Sequence, residues 1–69
     1  MFVIHRGDRT ALYNVSKADK IRLQGVDILI IHEIYGNTTC LKFETDEDAK
    51  KAFGYLIEGL KRKDGLVTL

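Results

Sequence analysis

The side chains best suited to catalysis or metal binding are few in this sequence: His5, His32, Glu33 and Cys40. A zinc site uses three or four ligands at ordered spacing, such as CxxC or HExxH, and no such spacing occurs here. Cys40 and His32 could form a nucleophile and base pair, but no third residue is evident that would orient the histidine. The sequence therefore favours a protein that is not an enzyme and uses no metal or other cofactor.

Two groups of basic residues could contact phosphate, one at Arg6 and Arg9 and the other at Lys61, Arg62 and Lys63. The chain has 11 Lys and Arg against 10 Asp and Glu, so it has no general attraction to nucleic acid. Acidic residues also stand four positions before basic ones, as Glu58 does before Arg62, which is typical of a charge-paired helix face. A nucleic-acid-binding accessory protein is therefore the alternative function.

Arg6, Gly7 and Asp8 spell a tripeptide known as a cell-adhesion signal. That role requires an extracellular protein, whereas a single cysteine and no apolar signal-peptide core favour the cytoplasm. Gly accepts positive φ, and Asp bonds nearby backbone in turns. The tripeptide is therefore interpreted as the turn of a hairpin flanked by two solvated arginines.

The elements that must position these residues begin with short strands. Alternating or apolar segments are separated by turn signals at Gly7-Asp8, Gln24-Gly25 and Gly36-Asn37. The segments cover residues 2–4, 11–13, 20–23, 26–34 and 39–43. Their connections are too short for parallel crossovers. We predict an antiparallel meander of four or five strands over about residues 2–44.

One amphipathic helix is predicted over about residues 46–63. Thr45 is a suitable N-cap, with Asp48 at the capping-box position three residues later. Acidic residues fill the first turn and basic residues the last, and Gly65 is expected just past the end. An apolar stripe predicts packing on one sheet face, in a single α+β domain of residues 1–69. Residues 66–69 would form an edge strand or a packed tail.

The segment 26–34 is apolar on both faces, with Ile28 and Ile30 on one face and Leu29 and Ile31 on the other. A strand covered on one side only should alternate cleanly. Two explanations stay open. Either residues 66–69 cover the second face, or Leu29 and Ile31 join Tyr35 in a subunit interface.

Tyr55 is a second contact candidate, because the small residues Ala52 and Gly59 flank it and allow close approach of another element. It could equally lie over the domain edge with its hydroxyl in water. A chain of 69 residues has a thin core, which makes association a source of further burial. The leading hypothesis is a protein-interaction or self-associating module, as a homodimer or with an unidentified protein partner and without a membrane.

Two resemblances bear on the fold. Residues 41–53, LKFETDEDAKKAF, resemble the junction between the third strand and second helix of RNA-recognition motifs. Those domains stack bases on aromatic side chains, but Thr38 and Cys40 stand at those places here, so only a shared strand–cap–helix arrangement is implied. Residues 14–60 are similar to small uncharacterised proteins of Gram-positive bacteria and their prophages. That resemblance implies a meander followed by a helix, with no assigned activity.

Overall fold

The computed structural model describes every residue from Met1 to Leu69. It contains six strands, a 3₁₀ turn at Glu33–Tyr35 and one α-helix. The strands are β1 (Phe2–His5), β2 (Asp8–Asn14), β3 (Lys20–Gln24), β4 (Asp27–His32), β5 (Asn37–Lys42) and β6 (Leu66–Thr68), and the helix is α1 (Asp46–Arg62). The α+β class is confirmed. The predicted single sheet of four or five strands is wrong in detail, because the six strands form two three-stranded sheets.

The first sheet, here named the terminal sheet, has the strand order β2-β1-β6. β1 and β2 form the predicted antiparallel hairpin, with Val3 opposite Tyr13. β6 lies parallel to β1, with Val67 beside Val3. The expectation that the C-terminal segment forms an edge strand is therefore confirmed. Its parallel pairing with the first strand departs from the predicted all-antiparallel sheet.

The second sheet, here named the meander sheet, has the order β3-β4-β5 and is antiparallel throughout. Gly25 and Gly36 have positive φ angles of 61° and 65°, which agrees with the turn signals in the sequence. Ile28 and Ile30 of β4 are buried, and they share one core cluster with Val67 and Leu69. The C-terminal segment therefore packs on the Ile28 side of the sheet. The explanation in which it covers the opposite face is wrong.

The helix α1 begins as predicted, because the Thr45 hydroxyl accepts a hydrogen bond from the Asp48 backbone N–H at 3.1 Å. It ends differently. Lys63, with φ of 58°, takes the left-handed conformation after the last turn, and its N–H points to the carbonyls of Gly59 and Leu60. Gly65 lies past the helix end, as expected, but Lys63 and not Gly65 takes the left-handed conformation there. The Gly65 carbonyl accepts from Phe2 N–H at 2.8 Å, where β6 begins to pair with β1.

The core lies where α1 covers the inner faces of both sheets, and the helix contacts β3, β4 and β6. Its fully buried large side chains come from three elements: Val3, Ile28, Ile30 and Leu56. Only 11 of 69 residues are buried, so the core is thin, as expected for a chain of this length. α1 is not long and apolar enough to cross a membrane.

Candidate functional site

The outer face of the terminal sheet carries a continuous group of exposed apolar side chains. Val3 and Val67 point into the core, so alternation along each strand turns their neighbours outward. Register places Phe2 beside Leu66 and Ile4 opposite Leu12. Phe2, Leu12 and Leu66 remain 44%, 59% and 56% exposed, respectively. Grouped apolar exposure of this kind marks a contact surface more often than scattered single residues do.

Where β2 and β6 pair with Phe2, Val3 and Ile4, this surface has no charged side chain. Its two remaining members are Asn14, opposite Phe2, and Thr68, beside Ile4. We name the six residues the uncharged face: Phe2, Ile4, Leu12, Asn14, Leu66 and Thr68. In a chain with 30% charged residues, six neighbouring surface positions without a charge are a distinctive feature.

The contact residues predicted on the meander sheet occupy a different kind of surface. Leu29 and Ile31 do point away from the core, but both are half-buried. Their cross-strand neighbours include Arg22, opposite Leu29, and Lys20, opposite Ile31. The apolar centre of this face is therefore bordered by charged side chains.

Charge also occupies the far end of the same face. Lys42 Nζ lies 3.4 Å from Asp27 Oδ1, at ion-pair distance but without hydrogen-bond geometry. The Lys42 side chain is largely exposed, so solvent screens its attraction to the partly buried Asp27 carboxylate. The position of this pair shows that a partner on this face would meet fixed charges on two sides of Leu29.

The four predicted contact residues do not form one surface. Tyr35 lies in the 3₁₀ turn and is 65% exposed, and Tyr55 lies on α1 and is 51% exposed. Because α1 packs on the inner side of the meander sheet, Tyr55 is on the opposite side from Leu29 and Ile31. Tyr55 instead lines a groove.

This groove, here named the edge groove, has a volume of about 950 Å³. It lies between the β1–β2 turn, β5 and the first half of α1. Buried apolar side chains contribute to its lining: Leu41, Ala52 and Leu69. Aromatic side chains at Tyr13, Phe43 and Tyr55 extend the apolar lining, and charged residues of both signs complete it, among them Arg6, Asp48 and Lys51. Apolar clefts with a few polar groups are the usual form of a binding site.

His5 joins the β1–β2 turn to β5 at this groove. Its Nδ1 accepts from the Gly7 N–H at 2.8 Å, and its Nε2 lies 2.7 Å from the Lys42 carbonyl oxygen. A carbonyl oxygen only accepts, so Nε2 must donate, which fixes the neutral tautomer with the proton on Nε2. The imidazole also stacks on Phe43 with ring centroids 4.5 Å apart. Both ring nitrogens are thus used, and His5 holds the groove wall in place.

The adhesion-like tripeptide lies at a hairpin turn, as interpreted, but Gly7 does not take the positive φ that was part of that interpretation. Arg6 and Gly7 form the turn, and β2 begins at Asp8. The Asp8 carboxylate accepts from both the hydroxyl and the backbone N–H of Thr10. These two bonds hold the pKa of Asp8 below its ordinary value of 3.8. Asp8 thus bonds nearby backbone in the manner expected of a turn aspartate.

The two basic groups lie at opposite ends of α1. Arg6 lines the edge groove, which also includes Asp48 from the first half of the helix, whereas Lys63 lines a separate cavity with Met1. Arg9 is exposed near the β1–β2 turn. No single surface therefore presents all five basic residues.

Two members of the helix-end group are also paired with acids. Lys61 lies 3.7 Å from Glu58, and Arg62 lies 3.2 Å from Asp64. The expected pairing of Glu58 with Arg62 is therefore wrong, because Asp64 offers Arg62 a closer carboxylate past the helix end. Asp46 and Glu47, which also stand four positions before a basic residue (Lys50 and Lys51), form no ion pair with it either.

The candidate nucleophile pair is not assembled. Cys40 is exposed on β5 and lies opposite Leu29, on the outer side of the meander sheet. His32 aligns with Asn37, three rungs along, and shares the inner side with Ile30. The structure has no group of three or more His, Cys, Asp or Glu side chains able to hold a metal ion.

Comparison with protein families, with curated proteins and with solved structures finds no match for this chain. The two resemblances noted in the sequence therefore stay predictions. The uncharged face and the edge groove are the two candidate functional surfaces of the molecule.

Proposed function

We propose that the protein is a non-enzymatic interaction module that self-associates as a dimer through the uncharged face. The observation that carries this proposal is the group of exposed apolar side chains at Phe2, Leu12 and Leu66, aligned by strand register. Face-to-face packing of two such sheets, about 10 Å apart, would bury these side chains between the copies.

The absence of charge on this face favours a second copy as the occupant. A partner with a charged surface would bury its charges against side chains that cannot pair with them, at a cost in free energy. A second copy brings the same uncharged surface, so no like charges meet. The net charge of +1 also leaves little long-range repulsion between copies. Two-fold symmetry is the common form of such contacts.

The size of the face is compatible with the centre of a small interface. Phe2, Leu12 and Leu66 are each about half exposed. At roughly 150–200 Å² for a fully exposed large apolar residue, they present on the order of 300 Å². A stable interface buries about 800 Å² on each partner, so polar residues around the face would complete the contact. Burial of the apolar centre would supply most of the driving force.

Light scattering across a range of protein concentrations tests this proposal. The natural protein should form a dimer, and Leu12→Asp should be monomeric, because it places a charge at the centre of the uncharged face. Ile34→Asp is the matched control, since Ile34 is 85% exposed in the 3₁₀ turn and lies outside this face. Ile31→Glu tests the meander sheet in the same way. A natural protein that stays monomeric, or a dimer that tolerates Leu12→Asp, would contradict the proposal.

A further inference from the structure

We infer that the edge groove binds an extended peptide, which pairs with the free edge of β5 and inserts one large apolar side chain. This inference does not rest on self-association. Tyr13 lines the groove from the inner side of the terminal sheet, whereas the uncharged face is the outer side of that sheet. The two surfaces are therefore separate.

The backbone groups of β5 alternate between facing β4 and facing away from it. Phe43 N–H donates to the Val26 carbonyl at 2.8 Å, which makes these two residues a hydrogen-bonded pair. Bonded and non-bonded pairs alternate along an antiparallel ladder. Leu41 therefore bonds to β4, while the N–H and C=O groups of Cys40 and Lys42 point away from it. β5 is the last strand of its sheet, so these groups meet no further strand.

The free edge of β5 opens into the groove. Cys40 and Lys42 both line the cavity. The side chain of Lys42 lies on the outer side of the sheet, where it reaches Asp27, and Cys40 shares that side with Leu29. What these two residues present to the groove is therefore their backbone. A row of unpaired backbone donors and acceptors is a template for an added strand.

His5 sets one end of this template. Its Nε2 already donates to the Lys42 carbonyl oxygen, and its ring stacks on Phe43. An added peptide strand therefore cannot pair with β5 beyond Lys42. The groups left free are the N–H and C=O of Cys40 and the N–H of Lys42. In an antiparallel arrangement, one peptide residue would exchange both bonds with Cys40, and a second would accept from Lys42.

The lining of the groove specifies the side chain that the peptide carries. A residue of an added strand that points inward would lie beside Leu41, over Ala52 and Leu69. Tyr13 and Tyr55 border the same space, which suits a large aliphatic or aromatic side chain. The charged lining residues include both signs, so they select no particular peptide charge.

Peptide ligands can be selected from phage-displayed random dodecapeptides. The library is panned against the immobilised full chain under reducing conditions. The expected result is a set of enriched peptides that share one large apolar residue within an alternating pattern. Synthetic copies are then measured by fluorescence anisotropy. The absence of any enriched peptide would overturn the inference.

Two substitutions at one position test the strand pairing. Cys40→Pro removes the donor and places a ring on the free edge, and it should weaken binding by about tenfold or more. Cys40→Ala keeps the backbone N–H and should bind within about twofold of the natural protein. Equal binding by both variants would overturn strand pairing.

Amide exchange in the natural chain gives a readout that does not depend on folding of the proline variant. A bound strand should slow exchange of the Cys40 and Lys42 amides at least about tenfold, because both become hydrogen-bonded. Binding of the selected peptides without this protection would assign them to another surface and overturn the inference. Tyr55→Ala should also lower the affinity, since it removes one side of the apolar lining.

Discussion

At the residue scale, His5 and Gly7 show how a short polar segment fixes the shape of a groove. A methyl group at Gly7 would lie 3.0 Å from His5 Cε1 and 3.2 Å from Nδ1, so glycine at this position leaves room for the imidazole. The ring then reaches Lys42 and Phe43 across the domain. Within the adhesion-like tripeptide, Gly7 therefore contributes to the internal contacts of the fold, because it leaves room for His5. Arg6 takes no part in these contacts.

Asp8 provides a prediction at the same scale. Thr10 lowers the pKa of Asp8 through its hydroxyl and its N–H, so the ionised carboxylate is favoured in the folded protein. A group whose pKa is lower in the folded state contributes stability above its unfolded pKa and loses it as the pH falls through the folded value. Thr10→Val removes the hydroxyl bond. We therefore expect the pKa of Asp8, measured by NMR titration, to rise toward 3.8 in that variant.

The stability of the two proteins should follow the same linkage. As the pH falls below about 3.8, the natural protein should lose a contribution that Thr10→Val largely lacks from the start. Thr39→Val, on another sheet and away from Asp8, is the matched control and should leave the pKa unchanged. An equal pKa of Asp8 in the natural protein and in Thr10→Val would contradict the assignment to the Thr10 hydroxyl.

At the element scale, local patterns in the sequence predicted the parts of the fold that depend on neighbouring residues. The Thr45 cap, the helix from Asp46, the hairpin and the three-strand meander are all of this kind. Each is signalled by residue types within a few positions of one another. These elements also form most of the edge groove. Among its lining residues, the sequence indicated Tyr55 as a contact for a protein partner and Arg6 as a contact for phosphate, but it did not indicate that the two share a groove.

The division into two sheets depends on a contact between the two ends of the chain. β6 pairs with β1 across more than sixty residues, and no local pattern encodes such a partner. The uncharged face was missed for a related reason. Ala11, Leu12 and Tyr13 are all apolar, so alternation could not decide which of them faces outward, and a shift of one residue reverses the faces.

The contact between α1 and β6 yields a prediction at this scale. Gly59 is buried, and a methyl group there would collide with Val67 Cγ2. Gly59→Ala should therefore destabilise the fold by about 1–3 kcal/mol, because neither the helix nor the strand has room to move apart freely. Gly54→Ala is the matched control in the same helix. It meets nothing within 4 Å and should stabilise the protein by roughly 0.5–1 kcal/mol.

Urea unfolding of the two variants and the natural protein measures both effects. The opposite signs separate the crowding at Val67 from the general helix preference for alanine. A double variant, Gly59→Ala with Val67→Ala, should recover part of the loss, since it removes the methyl group that is struck. Equal stabilisation by Gly59→Ala and Gly54→Ala would show that α1 and β6 do not pack as closely as described.

At the scale of the whole molecule, the terminal sheet separates two surfaces with different chemistry. Its inner side borders the edge groove, where backbone groups and mixed charges are exposed. Its outer side carries the uncharged face, where Phe2, Leu12 and Leu66 are exposed. A dimer formed through the outer side would leave both edge grooves open, so the proposed self-association and the inferred peptide binding could occur together in one assembly.

Dimer formation also changes how stability should depend on concentration. A thin core gives the isolated chain a small free energy of unfolding, and burial of Phe2, Leu12 and Leu66 in a dimer would add to it. Because the dimer is favoured by mass action, the Tm of the natural protein should rise with protein concentration. Leu12→Asp should show a Tm that is independent of concentration, whereas Ile34→Asp should retain the natural dependence. Scanning calorimetry over a hundredfold range of concentration measures this dependence. A constant Tm for the natural protein would show that dimer formation does not contribute to the stability of the fold.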